Sequence, residues 1–281
     1  MRVALAQISS VHDVEANLAT ITASTRTAAS QGAELVVFPE AAMYAFGAPL
    51  AGIAEPLDGR FATSVRLLAR ELGVTIVAGM FTPAADGRVF NTLLAAGPDD
   101  ATSYDKIHLF DAFGFKESAT VAPGDARRAI RVGGTVVALS TCYDVRFPLL
   151  YIENAADGAQ VSVVSASWGA GPGKVEQWEL LVRARAIDST TYVIACDQAV
   201  PVGGTSGPAP TGVGNSMVVS PYGQVLGRLG DQPGLLVLDL DLAEVDSARG
   251  AVPVLRGLRP APGDSASSGP GAPASVVDTT R

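Results

Sequence analysis

Four stretches of this chain are too short for a typical globular helix and too uniformly apolar for a half-exposed strand. They are ELVVFPE (34–40), TVVALSTC (135–142), AQVSVVSAS (159–167) and TYVIACD (191–197). A continuous apolar run of that length suits a strand covered on both faces, which requires further layers of structure above and below the sheet. Helical stretches lie between these runs. One spans 13–31, with Asp13 as its N-cap and Gly32 just past its end, and another covers 61–72 and stops at Gly73. A third starts near Pro148, since proline is favoured at a first helical position. The stretch 174–190 reads as the strongest amphipathic helix. Further strands are expected at 2–7, 74–81, 91–97, 215–220, 224–229 and 234–241. Asp86-Gly87 marks a hairpin between the second and third of these, and Pro221-Tyr222-Gly223 marks a later turn.

Strands and helices alternate through the first two thirds, and strands dominate the last third. No charge run or Pro/Ser-rich linker breaks residues 1–260, so the expected fold class is α/β, with sheets and helices sandwiched in a single domain. Residues 261–281 change to Gly, Pro, Ser and Ala with little to bury and are expected to form a flexible tail.

Composition narrows function by exclusion. The 281 residues carry a net charge of −8 and no basic block, so nucleic acid and anionic membranes are poor partners. No stretch approaches the ~18 apolar residues of a membrane span. The opening MRVALAQISS is too short an apolar run for a signal sequence. The two cysteines, Cys142 and Cys196, and the two histidines, His12 and His108, are far apart in sequence and offer no local metal pair. No metal, cofactor or disulfide framework is expected, and the pattern reads as reduced, soluble and cytoplasmic. GAGPGKV (169–175) lacks both the leading glycine and the closing Ser/Thr of a phosphate loop, and GGTSG (203–207) reads as a surface loop beside three prolines.

Three places combine a reactive residue with a strand end or a sharp turn: Glu40 in FPE, Lys106 in YDKIHLF and Cys142 in TCYDVRFP. The carboxyl ends of strands in α/β sheets face the ligand crevice. Each residue alone also has an ordinary reading. Glu40 suits a surface acid, Lys106 a partner of Asp105 or Asp111, and Cys142 a small core residue like Cys196. The weight lies in the three together.

Their local sequences resemble the nitrilase superfamily of carbon–nitrogen hydrolases. FPE, DKIHLF and CYDVRFP match its three motif blocks in order and approximate spacing. FKESATVAPGD (115–125), SASW (165–168), RARAIDSTTYVIA (183–195), GNSMVVSPYGQVL (214–226) and RGLRP (256–260) resemble later segments, so the likeness covers roughly 1–260. The form CYDVRFP looks like the branch of omega-amidase-like and deaminated-glutathione-amidase-like enzymes. Leu149 departs from the glutamate common there after the proline, which bears on the substrate and not on the chemistry.

The resemblance implies an α-β-β-α sandwich and a cysteine-dependent amidase that releases ammonia from a small linear carboxamide through a thioester. It assigns Cys142 as nucleophile, Glu40 as proton carrier, Lys106 as oxyanion stabiliser helped by the Tyr143 backbone N–H, and Glu117 as the acid that orients Lys106. Such chemistry suits these residue types. A thiol needs a base, a tetrahedral oxyanion needs a cation, and two carboxylates around one ammonium raise the pKa of one of them. Arg146 is expected either to bind a substrate carboxylate or to pair with Asp144. Tyr44, Phe113, Ser167 and Trp168 are expected on the pocket wall, and His108 has a structural place rather than a basic one. Two alternatives remain: an N-carbamoyl-amide hydrolase of the same family, and a catalytically silent relative that binds a metabolite or partner. Relatives of this kind are commonly homodimers or higher homo-oligomers, for which the apolar segment 251–258 is the sequence's own support.

Overall fold

A computed structural model describes residues 1–201, 209–258 and 275–278. In chain order the first half contains β1 (Arg2–Gln7), α1 (Val14–Ser30), β2 (Leu35–Val37), α2 (Arg60–Leu72), β3 (Thr75–Pro83), β4 (Val89–Ala96) and β5 (Ala101–Asp105). Short pieces follow: β6 (Asp111–Ala112), β7 (Phe115–Lys116), β8 (Val121–Ala122) and β9 (Arg128–Val132). The second half contains β10 (Thr135–Thr141), α3 (Pro148–Ala156), β11 (Val161–Ala166), α4 (Lys174–Ser189) and β12 (Tyr192–Asp197). It closes with β13 (Met217–Val219), β14 (Val225–Arg228), β15 (Gly234–Asp239), α5 (Ala243–Ala251) and β16 (Ser275–Asp278).

Among the described residues, β6 and β7 pair with each other, and the other fourteen strands form two seven-stranded sheets. One runs β15-β1-β2-β3-β4-β5, with β8 on β4, and the other runs β14-β13-β12-β11-β10-β9-β16. Alternation along each strand decides which layer a side chain joins. Val3 and Leu5 of β1 and Leu35 and Val37 of β2 meet Val137, Leu139, Val161, Val163 and Ile194 between the sheets. Ala4, Ala6, Val36 and Phe38 point the other way, onto Ile21 of α1 and Phe61 and Val65 of α2. On the far side Val164, Ala166, Val193 and Ala195 receive Trp178, Val182 and Ala186 of α4. The runs are therefore apolar on both faces because each strand has a sheet on one face and helices on the other. The fold is an α-β-β-α sandwich.

The local signals act as expected at α1, where Asp13 Oδ1 accepts from the backbone N–H groups of Glu15 (2.9 Å) and Ala16 (3.1 Å). The Asp86-Gly87 turn joins β3 to β4 in an antiparallel pair. The amphipathic reading of 174–190 needs correction. α4 buries Trp178, Val182, Arg185 and Ala186 but leaves Leu180 68% and Ile187 51% exposed, so its apolar residues occupy two faces. α2 is the helix with the cleaner division, burying Phe61, Ala62, Val65, Leu68 and Ala69.

The expected tail also differs where it is described. Ser275–Asp278 pairs in parallel with β9, where two successive β-branched residues, Val276 and Val277, meet an otherwise open strand edge. The remaining tail residues and the GGTSG loop lie outside the described residues. Among the described residues, no helix is long and apolar enough to cross a membrane.

Candidate active site

Three neighbouring parallel strands of the second sheet end side by side. β10 runs into Cys142, β11 into Ser167, and β12 ends at Asp197. Across the sandwich, β2 of the first sheet runs out toward Glu40. The carboxyl ends of parallel strands thus converge on one crevice, as the general rule for α/β sheets requires.

Glu40 reaches this place because the chain turns sharply after Pro39, with Ala41 at φ 57°. The turn lies flat on β3. Gly79 donates its N–H to Pro39 O (3.2 Å) and accepts from Met43 N at 2.9 Å. A Cβ at position 79 would sit 2.6 Å from Ala41 N and 2.8 Å from Pro39 O, so only glycine permits that approach. Lys106 follows β5, pinned by its own N–H to Asn91 O (2.9 Å) and by Gly124 N to its carbonyl at 2.8 Å. Glu117 begins a short 3-10 turn, and its Oε2 accepts from Phe110 N (2.7 Å).

These three side chains form one buried charge cluster. Lys106 Nζ donates to Glu40 Oε1 (2.9 Å) and to Glu117 Oε1 (3.0 Å) and Oε2 (2.8 Å), with every member 2% exposed or less. Asn91 Nδ2 bridges the same acids, donating to Glu40 Oε1 at 2.7 Å and Glu117 Oε1 at 3.1 Å. Burial pushes the Glu40 carboxyl above the ordinary carboxylate range. Lys106 offsets that in part, and Glu117 adds to it. Burial works against the Lys106 charge too, but Glu117 and Glu40 outweigh it, and the ammonium is held well above its usual pKa.

Cys142 sits where β10 breaks into a 3-10 turn, at φ 46°, a left-handed conformation that non-glycine residues rarely adopt. Asp144 holds that turn. Its Oδ2 accepts from Thr141 N (2.9 Å) and Tyr104 OH (2.6 Å), and its Oδ1 accepts from His108 N (3.0 Å) and lies 2.7 Å from His108 Nδ1. Tyr104 and His108 flank Lys106, so Asp144 ties the lysine segment to the Cys142 turn. His108 is bound to Asp144 and stacked on Phe147 at 3.6 Å, and it is not on the wall of the cavity that Cys142 faces. Ser167 joins Cys142 to Glu40, since its N–H donates to Glu40 Oε2 (2.8 Å) and its carbonyl accepts from Cys142 Sγ at 3.7 Å. Burial, with Glu40 adding to it, pushes the Cys142 thiol well above its ordinary pKa despite Lys106, so the resting group is a neutral thiol.

Cys142, Lys106 and Glu117 line a cavity of about 360 Å³, counting its open mouth, together with Phe46, Phe110, Tyr143, Arg146, Ser167, Trp168, Gly169, Lys174 and Pro210. Among the expected wall residues, Tyr143, Arg146, Ser167 and Trp168 are on it. Arg146 does not pair with Asp144. It donates to Gln177 Oε1 (2.9 Å) and lies 5.1 Å above the Trp168 ring. Two expected wall residues are elsewhere. Tyr44 is half-buried beside His12, ring centres 5.1 Å apart, in the packing between α1 and the Glu40 loop. Phe113 is 78% exposed, on a left-handed turn at φ 54°, and stands outside the cavity under Lys174. Both lie in irregular loops, where no periodicity fixes the direction of a side chain.

Sequence reasoning passes over Asn91 and Asp197 and names Asp144 only as a partner for Arg146. Asn91 and Asp197 have a signal in retrospect, a polar residue inside or at the end of an apolar strand. Asp197 is buried with no cationic partner among the described residues. It accepts from Trp168 N (2.7 Å) and Val213 N (2.8 Å), which fixes the cavity wall, and burial pushes its carboxyl up to about 7. Cys196 is wholly buried in β12 between the sheets. Among the described residues, no group of His, Cys, Asp and Glu is placed to hold a metal ion.

The family model for carbon-nitrogen hydrolases matches residues 2–250. The chain belongs to the carbon-nitrogen hydrolase family. It is 54% identical over 265 residues to a Mycobacterium tuberculosis protein described as a hydrolase, covering 91% of this chain and 95% of that one. It is 32% identical to human omega-amidase over 242 residues, covering 83% of this chain and 86% of the relative. A solved amidase from Nesterenkonia, bearing the product of acrylamide addition at its active-site cysteine, superposes with a TM-score of 0.75 at 29% identity. The match covers 90% of this chain and 98% of that one. The chain is thus a hydrolase of carbon–nitrogen bonds with amidase relatives.

Proposed function

We propose that the protein is a cysteine-dependent amidase that hydrolyses a small linear carboxamide, one bearing a carboxylate, to the acid and ammonia. The observation that carries this reading is the buried Glu40–Lys106–Glu117 cluster, whose Lys106 and Glu117 line the same cavity as a strained Cys142. The similarity to omega-amidase and to an amidase with a reactive cysteine supports it.

Each group has a task. Cys142 Sγ attacks the amide carbonyl carbon as Glu40 takes the thiol proton, so the thiolate forms only in the act of attack. The oxyanion faces the Lys106 ammonium and the Tyr143 N–H, donors of a kind typically worth about 3–4 kcal/mol of barrier. Glu40 passes its proton to the amide nitrogen, the carbon–nitrogen bond breaks, and ammonia leaves a thioester on Cys142. Water then attacks the thioester while Glu40 takes its proton. The carbon–sulfur bond breaks, and Glu40 returns the proton to sulfur. Glu117 keeps Lys106 charged and aimed, a role supported by its two-oxygen grip on Nζ. Asn91 bridges the two carboxylates.

The substrate carboxylate is assigned to Arg146, which lines the cavity without an acidic partner among the described residues. Two buried free cysteines support a reducing, cytoplasmic setting. Exposed apolar side chains on α3 and α4 support a homodimer or larger homo-oligomer. Mass spectrometry of a rapidly quenched reaction tests the chemistry. The expected result is a Cys142 adduct equal in mass to the substrate less ammonia, absent from an inert Cys142→Ala variant. Ammonia release by Cys142→Ala at the wild-type rate overturns the reading. Carbon dioxide released with the ammonia would move the substrate to N-carbamoyl compounds.

A further inference from the structure

We propose that Lys174 is a specificity-determining residue. In this proposal, which rests on the amidase reading above, Lys174 and Arg146 together receive the carboxylate of a linear monoamide whose amide end lies at Cys142.

The cavity wall carries three cations, Lys106, Arg146 and Lys174. Lys106 is consumed by Glu40 and Glu117. The other two have no acidic partner among the described residues. Arg146 spends one N–H on the neutral Gln177 and rests over Trp168, while Lys174 Nζ stands 3.9 Å from the centre of the Phe113 ring. Burial and the neighbouring Arg146 both press the Lys174 pKa down, against an opposing pull from Cys142. In a chain with a net charge of −8 and only three lysines, two unrelieved cations at one cavity are a local inversion of the molecule's field.

The placement of Lys174 is built, not incidental. Its carbonyl accepts from Trp168 Nε1 (2.9 Å), and Trp168 follows Ser167, the residue that clamps both Glu40 and Cys142. The first residue of α4 is thereby locked to the wall of the reaction centre. Between the two ends the wall is Phe46, Phe110, Tyr143, Trp168 and Pro210, an apolar sleeve for a short carbon chain. Amide chemistry at the inner end, apolar contact along the middle and two cations farther out describe the half-amide of a short dicarboxylic acid.

The test compares kcat/KM for the monoamides of succinate and glutarate with kcat/KM for butanamide and pentanamide, which lack the carboxylate. In Lys174→Met the preference for the charged amides is expected to fall about tenfold to a hundredfold, the range for one lost charged hydrogen bond, and chiefly through KM. Lys174→Arg is expected to restore most of it, and the rise of KM with salt is expected to flatten in Lys174→Met. An unchanged preference in Lys174→Met overturns the proposal. So does a wild-type enzyme that favours the neutral amides, although the amidase reading would stand. Failure of the wild type to release ammonia from any amide would overturn the amidase reading itself, and the proposal with it.

Discussion

Lys106 is the residue on which the site's electrostatics turn, because two buried carboxylates share its one charge. Removing one partner of a buried ion cluster strands the others. Lys106→Met is therefore expected to lower stability by about 3–5 kcal/mol, read by urea denaturation. It should also lower kcat by about 10²–10³, read by ammonia release. Glu40→Gln keeps the shape and removes the proton carrier, for an expected loss of about 10²–10⁴ in kcat. Asp197 gives a pH signature of a different kind. Its folded pKa is raised to about 7 from an ordinary 3.8, so the folded state binds the proton more tightly than the unfolded chain. The stability this contributes is complete below the unfolded pKa and is lost as pH rises through the folded one. Relative to Asp197→Asn, the wild type is expected to lose stability between about pH 4 and pH 7, followed by thermal melts across that window. A wild type that gained stability over Asp197→Asn as pH rose would contradict the assignment. Glu40, Lys106 and Cys142 were legible because each lies in a distinctive local sequence at a strand end. Asn91, Asp144 and Asp197 were not, because a buried polar residue looks like any other until its partners, distant in sequence, are known.

At the scale of elements, two turns hold Glu40 and Cys142, the proposed proton carrier and nucleophile, and both depend on neighbours far along the chain. The Glu40 turn exists because Gly79, on the adjacent strand, presents no side chain. Gly79→Ala is expected to displace Glu40 and abolish turnover while the sheets persist, a combination that ammonia release and far-UV circular dichroism separate. The Cys142 turn exists because the Asp144 carboxylate receives Tyr104, His108 and the Thr141 amide together. Asp144→Ala is expected to cost about 3 kcal/mol or more, since several buried donors lose their acceptor at once. The positions of most strands and helices could be read from the sequence, because turn residues and apolar runs are local signals. The character of α4 could not. Its Leu180 and Ile187 are apolar for a reason other than the core they appear to predict.

On the scale of the whole molecule, strands buried on both faces already imply layers, and the sandwich follows from them. The order of strands within each sheet does not. β15 lies beside β1 in the register Arg2↔Asp239, a pairing that no local pattern announces. The exposed apolar residues are where the single chain leaves the account open. Leu149 lies in the first turn of α3, and Leu180 and Ile187 lie on α4, the helix packed beside it. Ile187 also abuts the turn at Tyr222-Gly223, and Tyr222 is itself exposed. Large apolar side chains gathered on adjoining elements cost free energy in water and are relieved by a partner surface. A homodimer made through α3 and α4 accounts for them and for the two-faced pattern of α4. Light scattering coupled to size exclusion is expected to give about twice the 28.7 kDa chain mass for the wild type. The paired substitution Leu180→Lys and Ile187→Lys is expected to give the single mass, with the fold kept, because neither side chain touches the core. A wild type that runs at the single mass at micromolar concentration contradicts the dimer. A double variant that keeps the doubled mass places the interface on another face.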